Sequence, residues 1–306
     1  MSQRSRLLNA GVLAILAFLS MPFVSGSMAD AAGFPAAGVN AVLGAKGGEM
    51  PGGVYRYGWP RSDLDVKLGD VKLQPALALG SWAGFMQTRK GAMMMGDLVL
   101  LESEVALVIK ELHTHAIMVT AIHNHLLHEV PRLTYVHYMG LGDPIGLANG
   151  LKAALKQTRT PLESPSISTP AAAGIPSWVT EVENALGHKG KWKGEVYSVS
   201  VARSGRITVE GEVIPPAMGV AIAMNFQAAV GNKVASTGDF VLTAAEIDPV
   251  MKELQKRGIK VTALHNHMLD DSPHLFFLHY WAVGKPADVA VGLKAALALV
   301  NVQHAK

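Results

Sequence analysis

The sequence VTAIHNH at residues 119–125 returns almost unchanged as VTALHNH at residues 261–267, 142 positions further along the chain. The match continues without a gap over residues 96–155 and 238–297, where 30 of 60 positions are identical. A buried aliphatic position needs only a residue of similar size, whereas these identities include histidine, asparagine, threonine, glutamate and aspartate. Polar residues kept at a fixed spacing in both copies indicate a more specific constraint, which is where function is to be sought.

The repeat unit is a whole domain, because weaker matches at the same offset continue upstream, for example Arg61 with Arg203. Its length of roughly 120–140 residues is usual for a domain and too long for a solenoid repeat. A stretch rich in Pro, Ser, Thr and Ala separates the copies and is typical of a linker. The predicted boundaries are repeat domain 1 at residues 32–157, the linker at 158–176 and repeat domain 2 at 177–306.

The hydrophobic pattern of each repeat predicts four strands, a helix, two more strands and a final helix. Apolar runs rich in β-type residues, including residues 64–73, mark the strands, and residues 103–115 carry apolar side chains at helical spacing. Pro144 stands at the predicted start of the second helix, where a missing N–H is tolerated. The predicted fold class is α+β: a tandem duplication of an α+β domain with a mostly antiparallel sheet and two helices per repeat.

Composition excludes several classes of protein. The chain is 49% hydrophobic and 17% charged, which favours a globular protein over a disordered one. A formal charge of +3 without a Lys/Arg cluster argues against a nucleic-acid partner, and without a Gly-rich phosphate loop no nucleotide or flavin cofactor is expected. Because there is no cysteine, any metal ligand must come from His, carboxylate, Met or amide groups.

The N-terminus has the pattern of a secretory signal peptide, predicted over residues 1–31. Arg4 and Arg6 precede an apolar run at residues 7–24, and small residues follow it. An uncleaved membrane anchor is the alternative, because about 18 residues is near the minimum length of a span. The prediction is a periplasmic or secreted protein with no membrane span after cleavage.

The histidines of the repeat suggest a metal site. His123 and His125 alternate on a predicted strand, so their rings face the same side, and an antiparallel return of the next strand brings His137 beside them. Three imidazoles with an open position are typical of catalytic Zn²⁺, and Cu²⁺ also suits nitrogen ligands. Alternatively, the rings only hydrogen-bond strand ends and loop carbonyls. The predicted metal ligands are His123, His125, His137, His265, His267 and His279.

The other candidate polar residues, of which only some are duplicated, have two interpretations. Glu104 and Glu129 are candidate general bases, although a carboxylate at the start of a helix, such as Glu104, also favours the helix dipole. The equivalent arginines either bind a carboxylate or phosphate or form salt bridges at strand ends. Asp97 and Asp239 each follow glycine and are interpreted as turn or bulge residues. The predicted ligand-binding residues are Arg61, Asp63, Arg132, Arg203 and His274.

These motifs resemble the LppY/LpqO family, an exported bacterial family with a domain of unknown function. The resemblance covers nearly the whole chain after the signal peptide, and it implies export without naming a reaction. Some members of the family look like lipoproteins, whereas this chain has no cysteine for a lipid. The residues that carry the resemblance are Pro60-Arg61-Ser62-Asp63-Leu64, Gly96-Asp97, residues 119–125, Pro131 and His137-Tyr138.

Three functional hypotheses follow from the sequence. The leading one is an exported two-domain protein that binds a divalent metal through its duplicated His-x-His sites, extended to a metal-dependent hydrolase acting on a small-molecule or envelope substrate. The alternative is a non-catalytic periplasmic module that binds an anion or sugar in the cleft between the repeats. The third is a structural or assembly protein of the envelope.

Overall fold

The computed structural model describes residues 33–162 and 175–303. The predicted signal peptide and most of the predicted linker lie outside these residues. Within them, no helix has the length and apolar character needed to cross a membrane.

The first repeat contains four helices and eight strands. Its helices are α1 (Ala36–Leu43), α2 (Pro75–Ala78), α3 (Glu102–Thr114) and α4 (Pro144–Leu155). Its strands are β1 (Gly48–Met50), β2 (Val54–Pro60), β3 (Lys67–Leu68), β4 (Val71–Lys72), β5 (Gly80–Thr88), β6 (Gly91–Leu101), β7 (Met118–His123) and β8 (Leu133–Gly142).

The second repeat follows the same order, with a 3₁₀ turn (Pro216–Met218) in place of α2 and an additional short strand, β16, before its last strand. Its helices are α5 (Ser177–Leu186), α6 (Ala244–Lys256) and α7 (Pro286–Leu297). Its strands are β9 (Lys191–Lys193), β10 (Val196–Ala202), β11 (Thr208–Val209), β12 (Glu212–Val213), β13 (Ala221–Ala229), β14 (Lys233–Leu242), β15 (Lys260–His265), β16 (Asp271–Ser272) and β17 (Phe276–Gly284).

Each repeat builds one six-stranded antiparallel sheet. The strand order is β1-β2-β5-β6-β8-β7 in the first and β9-β10-β13-β14-β17-β15 in the second. The predicted α+β fold with a duplicated, antiparallel sheet is therefore confirmed. In both sheets the strand that carries the His-x-His motif is an edge strand, so its outer backbone groups are available to a partner.

Several features of the fold differ from the predicted element order, among them the short strands β1 and β9 and the helix α2, which were not predicted. An additional helix opens each repeat, and both copies of it end at a glycine, Gly44 (φ 70°) or Gly187 (φ 80°), in the left-handed conformation that favours this residue. Residues 64–73 form a hairpin of two-residue strands instead of one strand, because Gly69 (φ 59°) turns the chain there.

The sheets pack face to face, with helices on their outer sides. Residues paired across antiparallel strands share a face. The outer face of the first sheet includes Phe85 and Met94, which pack in one core with residues of α1, α3 and α4. The inner face includes Met93, Met95 and Met139, which share a core with the second repeat. The layers are therefore helices, sheet, sheet and helices.

A buried arginine at the end of β2 or β10 ties that strand to the helix after β6 or β14. Arg61 is fully buried and uses all five of its N–H donors, on Asp63, on Glu104 and on the Val99 carbonyl. The Glu104 carboxylate also accepts from the backbone N–H groups of Leu101 and Arg159. Glu104 therefore fixes the start of α3 and the end of the repeat.

The second repeat keeps this arrangement in reduced form. Arg203 donates to Glu246 at 2.7 Å and to the Val241 carbonyl, and Gly205 stands where the first repeat has Asp63. These contacts favour the salt-bridge interpretation of the arginines, because the side chains already satisfy one another within the core. Ligand binding by Arg61, Asp63 and Arg203 and catalysis by Glu104 stay predictions.

Replacing Glu246 by glutamine tests this structural role through its pH dependence. Burial raises the pKa of Glu246, but hydrogen bonds from Arg203 and from the Asn301 and Thr243 N–H groups outweigh burial and hold the pKa at about 2. The carboxylate therefore stabilises the fold above about pH 4.5, and this contribution is lost as the pH falls towards 2. Over this pH range the parent chain is expected to lose of the order of 2–3 kcal/mol of unfolding free energy through this carboxylate, and Glu246→Gln is expected to show no such loss. Denaturant unfolding at several pH values measures the difference.

The exposed Asp248 in the same helix provides the control, because its side chain contacts only Lys252. Asp248→Asn is expected to retain the parent pH profile. Equal pH profiles for Glu246→Gln and the parent chain would contradict the structural role.

Candidate metal centre

Each histidine motif begins on an edge strand, β7 or β15, that contains a β-bulge and ends at the first histidine, His123 or His265. The prediction that His123 and His125 both lie on the strand is wrong, because the chain leaves the sheet after His123. The register of β7 shifts between Val119 and Ala121, so Thr120 is an extra residue with no partner in the ladder. Thr262 holds the same place in β15. A bulge leaves the backbone groups of its extra residue free, and here those groups are taken up by the other repeat.

Each bulge is hydrogen-bonded to the opposite motif. Thr120 Oγ1 donates to the His267 carbonyl at 2.6 Å, and Asn266 Nδ2 donates to the Thr120 carbonyl at 3.0 Å. The reciprocal bonds run from Thr262 Oγ1 to the His125 carbonyl at 2.6 Å and from Asn124 Nδ2 to the Thr262 carbonyl at 3.1 Å. The threonine and asparagine of the motif therefore join the repeats and fix the backbone that carries the histidines.

All six predicted histidine ligands converge in one cluster between the repeats. Three pairs of rings stack across the boundary, and each pair takes one ring from each repeat. The ring centroids are 3.4 Å apart for His123 and His265, 3.7 Å for His125 and His279, and 3.7 Å for His137 and His267. Because the last two pairs are equivalent under the duplication, their equal spacing indicates a pseudo-twofold axis through the first pair.

An aromatic residue closes each end of the cluster. Tyr135 packs on His125 and Phe277 packs on His267, with ring centroids 3.3 Å apart in both cases. Tyr135 and Phe277 are themselves equivalent positions of the two repeats. The histidines are thus enclosed by apolar surface, and the axial pair remains the part nearest to solvent.

The ring nitrogens are arranged as metal ligands usually are. Nδ1 of His123 and of His265 each lies 3.0 Å from the carbonyl of the following asparagine, and Nδ1 of His279 lies 3.1 Å from the Gly238 carbonyl. A carbonyl only accepts, so Nδ1 carries the proton and Nε2 presents a lone pair. The Nε2 atoms of all six histidines are buried without a hydrogen-bond partner.

Two aspartates face the same cluster from the middle of β6 and β14. Asp97 Oδ2 is 3.6 Å from His125 Nε2 and 3.8 Å from His137 Nε2, and Asp239 Oδ1 is 2.8 Å from His279 Nδ1. The preceding glycines are required by close packing, since a Cβ on Gly238 would lie 1.8 Å from a backbone oxygen. Asp97 and Asp239 are therefore strand residues directed at the histidines, and the turn or bulge interpretation is wrong.

Burial determines the charge of the cluster. Desolvation is the main cause that lowers the pKa of His123 to about 4, and desolvation together with the neighbouring imidazoles lowers the pKa of His265 to about 2. Desolvation, followed by repulsion from Asp239, raises the pKa of Asp97 well above its usual range. Neutral imidazoles with free lone pairs beside crowded carboxylates are an arrangement that a cation would stabilise.

The donor atoms form groups both across the repeats and within them, and the within-repeat groups each include an aspartate: Asp97 with His125 and His137, and Asp239 with His265 and His279. His123, His137, His265 and His267 offer four ligand atoms that all lie within 4.8 Å of one another. His123, His125 and His279 form a further group of this kind. Among the described residues, no three histidines of a single repeat do so. The expectation of a separate three-histidine site in each repeat is thus replaced by one shared cluster.

The remaining predicted site residues lie in the loops that follow β7 and β15. Glu129 is buried, its Oε1 accepts from the Leu133 N–H at 3.2 Å, and its Oε2 has no partner. The equivalent Asp271 accepts from the Leu275 N–H and also lies 2.7 Å from His274 Nδ1. Both carboxylates brace their loops, but only Glu129 keeps a free oxygen.

Two open depressions border these loops. One, of about 420 Å³, is lined by His265, Asn266 and His274 together with apolar side chains such as Leu264 and Leu269. The other, of about 610 Å³, includes Arg132 and lies beside the start of α3. His274 and His265 line the same depression, so His274 lies near the cluster. Arg132 lines the other depression.

Sequence reasoning missed part of this site. Asp97 and Asp239 were detectable in the duplicated Gly-Asp pair, and Thr120 and Thr262 in the duplicated Val-Thr-Ala. Tyr135, which packs against His125, was not detectable in this way, because the equivalent residue in the second repeat is a phenylalanine and the position is not duplicated.

Two tandem α+β repeats that share a buried histidine–aspartate cluster on their common axis define the class of protein. The chain belongs to the family described as Domain of Unknown Function (DUF1259), whose sequence model matches residues 37–157 and again residues 180–299. No curated protein matches the chain. A solved structure, the trimeric bacterial microcompartment shell protein PduB, aligns over 83% of this chain and 89% of its own at 11% identity. Its TM-score of 0.21 is too low to indicate a shared fold.

Removing the bulge hydroxyls tests the junction between the repeats. In Thr120→Val/Thr262→Val the carbonyls of His267 and His125 lose their donors, and an unsatisfied buried polar group costs about 1–3 kcal/mol. We expect a comparable loss in unfolding free energy for each substitution, measured by denaturant titration. Thr114→Val is the control, because Thr114 bonds only within the exposed end of α3. Equal losses of unfolding free energy in the control and in the double variant would contradict a special role for the bulges.

Proposed function

We propose that the chain binds a divalent transition metal in the histidine cluster between its repeats. The observation that supports this most strongly is the set of six buried Nε2 atoms without hydrogen-bond partners. Leaving a buried polar group unpaired costs about 1–3 kcal/mol, and buried polar groups are nearly always satisfied. Six such atoms in one cluster are more economically explained by a bound cation than by six separate defects.

The group of His123, His137, His265 and His267 is the best candidate for this ion. Two nitrogens bound to one tetrahedral Zn²⁺ lie roughly 3.3 Å apart, so small ring rotations would close a group whose ligand atoms are within 4.8 Å. Neutral imidazoles suit Zn²⁺ and Cu²⁺. The Nδ1 hydrogen bonds to backbone carbonyls already orient His123 and His265 for such binding.

Metal content is the direct test. The chain, purified without a histidine tag, is expected to hold Zn²⁺ or Cu²⁺ in whole-number stoichiometry by inductively coupled plasma mass spectrometry, and to unfold at a lower temperature after chelation. The variant His123→Ala/His125→Ala/His265→Ala/His267→Ala is expected to lose the metal while circular dichroism monitors its fold.

The matched control is His113→Ala/His115→Ala, which removes two exposed histidines at the end of α3. This variant should keep its metal. A parent chain that contains no metal and takes up none from added Zn²⁺ or Cu²⁺ would overturn the proposal.

Metal-dependent hydrolysis is the extension of this proposal that the site supports. A bound ion of this kind supplies Lewis-acid polarisation and lowers the pKa of its water. Of the two predicted bases, Glu104 is paired with Arg61, whereas Glu129 has a buried oxygen without a hydrogen-bond partner. Its charge also contributes to the raised pKa of Tyr135, after desolvation and Asp97, and Tyr135 packs on His125. Glu129 is therefore the remaining candidate base.

Replacing this base separates catalysis from metal binding. With p-nitrophenyl acetate and bis(p-nitrophenyl) phosphate as substrates, the Zn²⁺-loaded chain is expected to hydrolyse faster than the metal-free chain. Glu129→Gln is expected to lose about 10²-fold or more in kcat while it retains its metal. Glu102→Gln, an exposed neighbour of α3, is the control. Equal rates with and without metal would remove the hydrolytic extension and leave metal binding intact.

Export and the narrower family assignment are parts of the same proposal. The Thr-Ala-x-His-Asn-His motif and the signal-like N-terminus support an LppY/LpqO-type protein of the periplasm or exterior. The alternative function, an anion- or sugar-binding module, is less well supported, because Arg61 and Arg203 are buried in ion pairs and stacked histidines occupy the centre between the repeats.

A further inference from the structure

Besides the four-histidine group, the cluster contains two groups that each lie within one repeat. Each combines one carboxylate with two imidazoles, and its three ligand atoms all lie within 4.8 Å of one another. Among the donor groups of the described residues, this is the only pair without a shared residue, so two ions can occupy it together. The groups are triad 1, formed by Asp97, His125 and His137, and triad 2, formed by Asp239, His265 and His279.

The side chains of triad 1 are too far apart to satisfy one another by hydrogen bonds. Asp97 Oδ2 is 3.6 Å from His125 Nε2 and 3.8 Å from His137 Nε2. Asp97 Oδ1 and both Nε2 atoms are buried without a hydrogen-bond partner. Adjacent ligands of an octahedral ion lie roughly 3 Å apart, so small side-chain rotations would bring all three onto one ion.

Triad 2 has the same chemistry with one change of partner. Asp239 Oδ1 and the Nε2 atoms of His265 and His279 are buried without a hydrogen-bond partner. Nδ1 of His279 engages the Gly238 carbonyl at 3.1 Å, which leaves its Nε2 to the triad. The residue equivalent to His125 is His267, but triad 2 takes His265 instead. The two triads therefore offer the same donor set without being exact copies.

The triads and the four-histidine group compete for two residues. His137 belongs to triad 1 and His265 to triad 2, and both also belong to the four-histidine group. A neutral imidazole has one ring nitrogen free to bind a metal. An ion in the four-histidine group therefore takes one imidazole from each triad, whereas ions in both triads leave that group only His123 and His267.

We propose that the cluster has a second, mutually exclusive mode of occupancy, in which triad 1 and triad 2 each hold one harder divalent ion, Mn²⁺ or Fe²⁺. This inference rests on the proposed function, because it gives the same cluster a second set of ligands. Two imidazoles and one carboxylate with open positions are the donor set of non-haem Fe²⁺, and carboxylates suit Mn²⁺. Imidazoles alone suit Zn²⁺ and Cu²⁺, so the metal determines which mode forms.

The charges of the cluster favour the same division. Desolvation, followed by repulsion from Asp239, raises the pKa of Asp97, and Arg56 is the cation that opposes this shift. Arg56, however, donates to the Ala217 carbonyl at 2.6 Å and lies 3.8 Å above the Trp82 ring. An ion in each triad places positive charge directly on each carboxylate, whereas an ion in the four-histidine group binds neither.

Manganese stoichiometry on the full, metal-free chain tests the second mode. Electron paramagnetic resonance separates bound Mn²⁺ from the free hydrated ion during a titration. We expect two bound equivalents for the parent chain and one for each single variant, Asp97→Asn and Asp239→Asn. The control Asp65→Asn/Asp70→Asn, which alters two exposed aspartates near the β3–β4 hairpin, is expected to keep two.

Two double variants separate the modes in opposite directions. Asp97→Asn/Asp239→Asn is expected to lose both Mn²⁺ ions and to keep the Zn²⁺ of the parent chain. His123→Ala/His267→Ala removes half of the four-histidine group but no triad residue, and it is expected to keep two Mn²⁺. Circular dichroism monitors the fold, and the single aspartate variants carry the test where a double variant does not fold.

Displacement tests whether the modes exclude each other. Zn²⁺ binds nitrogen ligands more tightly than Mn²⁺, and in the four-histidine group it takes one imidazole from each triad. Small amounts of Zn²⁺ added to the Mn²⁺-loaded chain are therefore expected to release two Mn²⁺ for each Zn²⁺ bound. Release of one Mn²⁺ for each Zn²⁺ overturns the exclusive modes.

The outcomes distinguish this inference from the proposed function. A parent chain that binds Zn²⁺ but no Mn²⁺, or binds Mn²⁺ equally well after the aspartate substitutions, overturns the triads and leaves the four-histidine site. Two bound Mn²⁺ without uptake of Zn²⁺ or Cu²⁺ overturns the four-histidine site and leaves the triads. A chain that binds none of these ions overturns both.

Discussion

The reciprocal hydrogen bonds between Thr120 and Thr262 and the opposite histidine motifs are the constraint on which the rest of the structure depends. They join two edge strands that would otherwise expose unpaired backbone groups, and they do so through side chains at bulges, so the strands meet without forming a continuous ladder. The backbone that carries each His-x-His pair is therefore fixed by the other repeat. This explains why threonine and asparagine are duplicated as strictly as histidine.

Because the motifs hold each other, the histidine cluster is a property of the duplicated chain and not of either domain. Each of the three closest pairs of imidazoles takes one ring from each repeat, and the four-histidine group draws two ligands from each. A single repeat would present three histidines and one aspartate without the surface that buries them. Burial in turn keeps the imidazoles neutral, which is the form that binds metal.

The sequence predicted the duplicated α+β fold and the residues of the cluster, but not their grouping. The spacing of His123, His125 and His137 describes one strand and its neighbour, so it predicts a site within a repeat. Which residues meet across the boundary depends on how two sheets pack, and local periodicity carries no information about that. The same limit applies to Arg61: a duplicated arginine is visible in the sequence, whereas its enclosure by Asp63 and Glu104 results from the helix that folds back over the strand.

Differences between the repeats show which parts of the pseudo-symmetry are essential. The axial histidines and bulge threonines are identical, while the surrounding loops diverge, with Glu129 opposite Asp271 and Arg132 opposite His274. Asp271 is satisfied by His274, and Glu129 keeps a free oxygen. The histidine cluster is therefore nearly symmetric, whereas the loops beside it differ, so a ligand meets a different environment on each side. The proposed metal site therefore draws on both repeats equally, whereas a reaction at the proposed ion would be directed by the loop of one repeat.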